Sequence, residues 1–458
     1  MKKFFGNKEF YKKVMMLAIP IIVQNMITNF VNLLDNIMVG AVGTEQMTGV
    51  SVVNQLTFVF SLALFGAVSG PGIFTAQYYG KKDYEGVRNT MRFKFIVSVV
   101  ILVGGVSIFL LFGDDLIRRF MTDTEKLDVE ATFGYAKEYL RIMLIGLIPF
   151  CFSNAYAGTL RETEKTTVPM IAGITATVIN LGLNYILIFG HFGAPRLGVT
   201  GAAIATVVSR YVELLMIVLW SHLNKGKTPY FKGLYRSLAI PGDLIKKILL
   251  RGTPLFLNEF LWSLGMTELA QRYSTRGLEV VSAVNISNTF FNLFNVMVIS
   301  MGSVVAIIIG NLLGANETDE AVDTDRKLIV FSVLTCTVFG ALEVIFAPFF
   351  PLFYNTTDEI RGLAATLLRI NGCCLPVHAF LNSAYFTLRS GGKTVVTFIF
   401  DSVFIMVVTL PVATVLARFT ALPIVPLYIC VQCTDMLKVV MGAVFLKKRI
   451  WINNLVDD

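Results

Sequence analysis

The stretch TLRETEKTTV, Thr159 to Val168, returns as TLRSGGKTVV, Thr387 to Val396. Its surroundings return with it: Gly134, Leu140, Arg141, Ile142 and Asn154 meet Gly362, Leu368, Arg369, Ile370 and Asn382 at about the same offset. Nearer each half's start a slightly longer offset pairs Pro20, Gly43, Glu45, Asn54 and Gly80 with Pro254, Gly277, Glu279, Asn288 and Gly314. One short length difference reconciles the two registers, so the chain reads as a tandem duplication.

What is duplicated follows from composition. Hydrophobic residues make up 55% of the 458 positions and charged residues 15%; a soluble domain carries about 25% charged residues to cover its surface. Lipid is therefore the solvent, and the three soluble domains that the length would suggest are excluded. A helix needs about 20 apolar residues to cross the hydrocarbon. Such stretches lie near 13–38, 47–78, 93–113, 134–158, 167–190, 198–222, 244–272, 280–310, 328–350, 361–386, 395–417 and 422–445. The expected fold is an all-α polytopic membrane protein of twelve transmembrane helices in two pseudo-symmetric six-helix bundles. They occupy residues 1–222 and 244–458, joined by a cytoplasmic linker over 223–243. Six spans return the chain to its starting side, so the halves share one orientation about an axis along the membrane normal, with a cleft between them.

The net charge of +8 is spread in short runs between apolar stretches, which argues for topology signals and against nucleic acid as a partner. Lys2, Lys3, Lys8, Lys12 and Lys13 precede the first span, Lys81, Lys82 and Arg88 follow the second, and Lys447, Lys448 and Arg449 follow the last. The positive-inside bias then puts both termini in the cytoplasm of a multi-pass protein of the cell (inner or plasma) membrane. The connection from Asp114 to Glu130 mixes Arg118, Arg119 and Lys126 with acids and does not vote. In the linker, Tyr230, Phe231 and Tyr235 are expected at the lipid headgroups. The six cysteines fall in or beside apolar stretches and read as packing residues.

Ionisable side chains inside hydrocarbon cost at least about 2.5 kcal/mol at a helix centre, so each asks for a reason. Asp35 stands in the first span, Glu259 and Glu268 in the seventh, and Asp401 in the eleventh, while Asp435 and Lys438 of the twelfth read as a local ion pair. Gln24, Thr28 and Asn32 precede Asp35 at three- and four-residue steps and share its helix face. Interhelical packing explains such a stripe only in part, because packing does not require an acid. Asn285, Asn288, Asn292 and Asn295 project from one face of the eighth span and either glue helices or line a wet cleft. Asn180 and Asn184 form an i, i+4 pair, and Thr206 sits in the small-residue run GAAIAT, where helices approach closely enough to offer oxygens to a hard cation such as sodium. In the repeat Asp35 corresponds to Leu269 and Glu259 to Asn25, so each half keeps an acid that the other lacks. His378 is either protonatable or a helix-packing residue. The sequence SGGKT, ending at Thr394, lacks the leading glycine of a phosphate-binding loop and reads as an ordinary turn.

With these residues in hand the chain resembles the multidrug and toxic compound extrusion (MATE) family, in its bacterial branch. The resemblance rests on Pro20, Gln24, DNIMVG from Asp35 and Gly43; on the TLR…KT junctions of both halves; on NLGLNYILIFG from Asn180 followed by LGVTGAAIAT; and on GTPLFLNEFLW from Gly252, then LRSGGKT leading to Asp401 and Pro411. It implies a V-shaped pair of lobes exporting small organic, often cationic, compounds by alternating access, driven by inward sodium or proton flow. No enzyme chemistry and no cofactor beyond the coupling Na+ or H+ is implied, and a monomer is expected. Matched motif by motif, the coupling cation, sodium if a metal, falls to Asp35, Asn180, Asn184 and Thr206. The polar substrate or cleft residues are Gln24, Asn32, Asn154, Glu259, Asn288, Asn292, Asn382 and Asp401. Some members have an acid where this chain has Asn184; an amide oxygen can ligate sodium but cannot take up a proton.

The alternative within transport is a lipid-linked precursor flippase of a related fold, which needs cleft-facing cations such as Arg141, Arg210 and Arg369. An intramembrane enzyme lacks a nucleophile and base at one depth. A passive channel lacks a repeated filter-like segment.

Overall fold

The structure, a computed structural model, describes residues 4–120 and 128–457, with the side chains of all except Asn32, Leu33, Asn36 and Phe120. Lys2, Lys3, Lys126 and the Asn32 side chain therefore lie outside the described residues. Twelve long helices carry the described chain: α1 (Lys8–Gly40), α2 (Thr44–Gly80), α3 (Tyr84–Phe120), α4 (Val129–Glu162), α5 (Thr167–Phe189), α6 (Val199–Leu223), α7 (Gly242–Ser274), α8 (Leu278–Gly314), α9 (Thr318–Phe346), α10 (Asp358–Ser390), α11 (Thr394–Phe419) and α12 (Ile424–Lys447). α11 is wound as π-helix over Ile399–Val403 and Ile405–Thr409. Eleven of the twelve are long and apolar enough to cross a membrane. The exception is α7, which carries Lys246, Lys247, Arg251, Glu259, Glu268 and Arg272; its place as a span comes from the repeat. α1 and α7 begin at Lys8 and Gly242 and end at Gly40 and Ser274, and α2 and α8 begin at Thr44 and Leu278 and end at Gly80 and Gly314, all at one offset.

Helix starts obey local chemistry in both halves. The Asp128 carboxylate accepts from Ala131 N at 3.0 Å to cap α4, and Thr357 Oγ1 accepts from Ile360 N at 3.4 Å to cap the equivalent α10.

Two compact units emerge, one made of Val23–Thr75 with Tyr84–Lys246, the other of Met1–Ile22, Ala76–Asp83 and Lys247–Asp458. The chain passes from one to the other inside α1, just after Pro20, and inside α2, one turn after Pro71, where a missing N–H interrupts the helix ladder. The first unit is packed around Val53, Leu64, Tyr139, Leu147, Ile188 and Ala203. In it the repeated junction motif plays a structural part. Thr159 Oγ1 takes a hydrogen bond from the fully buried Lys94 Nζ at 3.0 Å, and Glu162 pairs with the same ammonium. In the other unit the equivalent Thr387 donates to Asp325 of α9 at 2.5 Å. The recurring threonine thus anchors a buried ionisable group from the third helix of each half.

The linker departs from the headgroup expectation. Tyr230 and Phe231 are buried in protein, at 1% and 2% exposure, and only Tyr235 of the three is exposed. Tyr230 OH meets Thr163 Oγ1 at 2.6 Å, and Phe231 stacks on Tyr156 with centroids 5.2 Å apart. The cause lies in α3, whose Arg88 donates to Tyr230 O and whose Arg92 donates to the carbonyls of Gly233, Leu234 and Ala239, satisfying the irregular backbone of the linker.

In the second unit the ends of α2 and α8 meet reciprocally. A Cβ on Gly80 would lie 1.9 Å from the Asn311 carbonyl oxygen, and one on Gly314 would lie 1.9 Å from that of Gln77. Gln77 and Asn311, like the two glycines, are repeat equivalents, so this contact is self-complementary. The chain end docks beside it. Gln77 donates from Nε2 to the carbonyls of Ser390 (2.9 Å) and Asn453 (3.2 Å) and accepts from Leu455 N (2.7 Å), while Trp451 is buried against Gly391. SGGKT is accordingly a turn covered by the C-terminal segment.

Lys81 Nζ lies 2.5 Å from Asp457 Oδ1, and Asn316 donates to the same carboxylate. Lys81 first, then Asn316, holds the Asp457 carboxyl below its ordinary value of 3.8. A depressed native value gives a contribution that is complete above pH 3.8 and is lost as pH falls through the lower native value. Because the pair is exposed the effect is small. The expected result is a slight red shift of Trp451 emission only below that pH, in a chain with Trp220 and Trp262 replaced by Phe. Gln77→Ala should give a larger shift at neutral pH, since it orphans the buried Leu455 N–H.

Candidate cation and substrate sites

In the first unit, α1, α5 and α6 bring Asp35, Asn180, Asn184 and Thr206 together. Asn184 Nδ2 donates to Asp35 Oδ1 at 2.7 Å. The Asn180 amide is best satisfied when its Nδ2 faces both Asp35 oxygens, at 3.1 and 3.1 Å, and its oxygen accepts from Thr206 N at 3.3 Å. Thr206 Oγ1 donates to Ala202 O within its helix and also meets the buried Tyr139. Asn180 and Asn184 are buried, at 6% and 1% exposure, and Asp35 is half-buried.

Asn184 Oδ1 is buried and, among the described residues, has no donor. The two amides turn their N–H groups to Asp35 here; turned to present their oxygens, they would complete with the carboxylate and the Thr206 hydroxyl an all-oxygen donor set of single negative charge, the chemistry that suits sodium. Among the described residues no group of three or more His, Cys, Asp or Glu converges, so the cluster differs from a transition-metal site.

In the second unit, α7, α11 and α12 build a different arrangement. Asp401 Oδ1 pairs with Lys438 Nζ at 3.2 Å, and its Oδ2 accepts from Asn258 Nδ2 at 3.1 Å. Ser402 donates to Asn258 Oδ1 at 2.7 Å, fixing that amide. Lys438 is 7% exposed, and its ammonium lies over Phe400 and Phe404, 5.5 and 5.7 Å from their centroids. The expected Asp435–Lys438 pair is thus not formed: Lys438 turns to Asp401, and Asp435 stands 3.4 Å from His378 Nε2. Glu259, half-buried, feels Arg389 and Asp401. Glu268 is matched by Arg272 of its own helix at 3.0 Å.

The remaining polar candidates are placed separately. Gln24 is buried and accepts from Arg161 Nη2 at 2.9 Å, so its amide is committed to packing. Asn154 donates to Phe150 O of its own helix at 2.9 Å. Asn382 lies against Gly302 of α8, its Oδ1 where a Cβ there would be. Asn288 and Asn292 are exposed on α8. The sequence reading passes over Asn258, which orders Asp401, and over Glu213 and Glu343, in-span acids that carry the same cost in hydrocarbon.

Twelve long helices in two repeats, with a single-acid polar cluster in one and a lysine-paired acid in the other, define a polytopic helical membrane protein built twice around buried polar groups. The MatE family model matches residues 20–186 and 254–442, and the chain belongs to that family of multi-pass membrane transporters, the multidrug and toxic compound extrusion proteins. A relative from Bacillus subtilis, named "Probable multidrug resistance protein YoeA", is 28% identical over 92% of this chain and 89% of its own. One from Thermotoga maritima, named "Probable multidrug resistance protein NorM", is 25% identical over 90% of this chain and 86% of its own. Among solved structures, a MATE protein in a bent conformation superposes with a TM-score of 0.85 at 22% identity, covering 96% of this chain and 95% of that one. An outward-facing multidrug resistance MATE transporter gives 0.84 at 22% identity, over 98% and 97%. These likenesses establish the shared twelve-helix, two-bundle fold.

Proposed function

We propose that the protein is a secondary-active antiporter of the cell membrane that exports small organic, often cationic, compounds by alternating access, coupled to inward sodium or proton flow, with both termini cytoplasmic. The observation that carries this reading is the meeting of Asp35, Asn180, Asn184 and Thr206, with one amide oxygen left unsatisfied among the described residues. Asp35 supplies the charge, the two amides and the hydroxyl supply neutral oxygens, and rotation of either amide exchanges an N–H for an oxygen at the carboxylate. A sodium ion would be held by these four; a proton would sit on Asp35 itself, because no second acid stands at Asn184. Glu259 and Asp401 are assigned to the polar substrate site, and the names of the relatives support drug-like cargo.

The lipid-linked precursor alternative gains nothing from Arg210, which is engaged within the protein. Arg210 donates to Gly146 O at 3.3 Å and lies over Phe150, and Arg141 and Arg369 are exposed.

The test is movement of a fluorescent lipophilic cation in vesicles carrying the purified protein, under a sodium gradient and, separately, a pH gradient. Movement driven by one of them is expected. Indifference to both would overturn the antiport reading.

A further inference from the structure

Glu343 lies near the end of α9, fully buried at 0% exposure, and neither carboxyl oxygen has a hydrogen-bond partner among the described residues. It is placed there by the close approach of two helices. A Cβ on Gly340 would lie 2.3 Å from Gly372 O, and one on Gly372 would lie 2.7 Å from Gly340 O and 3.3 Å from Glu343 Cβ. The two glycines bring α9 and α10 backbone to backbone and carry the acid into the interior with them.

The donors nearby are committed elsewhere. Tyr428 OH of α12 donates to Asn371 Oδ1 at 2.7 Å, Gln432 Nε2 approaches the same oxygen at 3.3 Å, and Asn371 Nδ2 donates to Ser287 Oγ of α8 at 3.2 Å. Tyr428 is close enough to interact electrostatically with Glu343, but its proton points to the amide. Among the described residues no cation pairs with the group from any packed helix. α8 carries no ionisable residue beyond Glu279 in its first turn, and α10 offers the half-buried Cys374 and an exposed Arg369. α12 offers Tyr428, with Asp435 engaged by His378, and α9 itself offers Cys336 two turns away.

A carboxylate in such a place would be an unpaired charge in a low-dielectric interior, whereas the acid is neutral and tolerable there. An in-span acid with no structural partner is by default a functional one. We propose that Glu343 is a proton-binding site of the second unit, distinct from the Asp35 cluster: an acid that is protonated at rest and gives up its proton when the α9–α10–α12 packing around it changes. On the topology expected from the basic residues, the α9–α10 connection faces outward, so this proton exchanges with the external side.

The test uses the full-length purified protein carrying Asp35→Asn, with and without Glu343→Gln, and records infrared difference spectra as pH is raised from about 5 to about 9, across the carboxyl-to-thiol range. The expected result is a carboxylic-acid carbonyl absorption whose amplitude falls by about one carboxyl per chain in Glu343→Gln, the remainder belonging to other buried acids such as Asp325. Should glutamine at this crowded position prevent folding, Glu343→Asp keeps an acid one methylene shorter and is expected to shift the band. Spectra indifferent to substitution at 343 would overturn the proposal. Because Asp35 is silenced throughout, either outcome leaves the antiport reading to its own test.

Discussion

Asp35→Asn is expected to reach the membrane and fold like the parent while losing gradient-driven export by roughly 100-fold, the upper range of a coupling free energy between two bound species. Folding is spared because the change is isosteric and removes a charge from the span. The bond from Asn184 Nδ2 to the oxygen at position 35 survives, since an amide oxygen accepts as a carboxylate does. Coupling is lost because the remaining ligands, two amides and a hydroxyl, have no charge to balance a sodium ion and no group that takes a proton. The measurement is substrate export from vesicles at matched protein density. Undiminished export by the variant would remove Asp35 from the mechanism.

Gly80→Ala and Gly314→Ala are expected to be the most damaging small substitutions in the second unit. Each places a methyl 1.9 Å from a backbone oxygen, a contact that no side-chain rotation relieves. Overpacking of this kind costs about 3 kcal/mol. The decisive feature is coupling between the two. Both methyls push apart the same pair of helix ends, so once one has separated them the other finds room, and the double variant should lose less than the sum of the singles. Thermal aggregation midpoints of the four proteins in detergent provide the comparison. Strict additivity would show that the two glycines do not share one contact.

The count of helices and their pairing by repeat were legible because both rest on local sums. Apolar length decides whether a segment enters lipid, and a duplicated sequence repeats its helix boundaries, as the matched ends of α1 with α7 and α2 with α8 demonstrate. α7 is instructive, since its own composition falls short and only its correspondence to α1 identifies it as a span. The meeting of Asp35 with Asn180, Asn184 and Thr206 was legible through family motifs, not through spacing. No periodicity joins residues on α1, α5 and α6.

Composition and repetition were enough to establish that this protein lives in lipid, that it is built twice, and that acids stand inside its spans. Where each charge finds its partner emerged only from the packing of the helices in three dimensions. Lys438 answers Asp401 across helices rather than Asp435 three residues away, Tyr230 and Phe231 turn into the protein because Arg88 and Arg92 hold their linker, and Glu343 is left with neither oxygen bonded among the described residues. The reason is physical: hydropathy adds along a chain, whereas a hydrogen bond or ion pair requires two atoms within about 3 Å, and which helix faces meet at that range is set by packing between segments far apart in sequence.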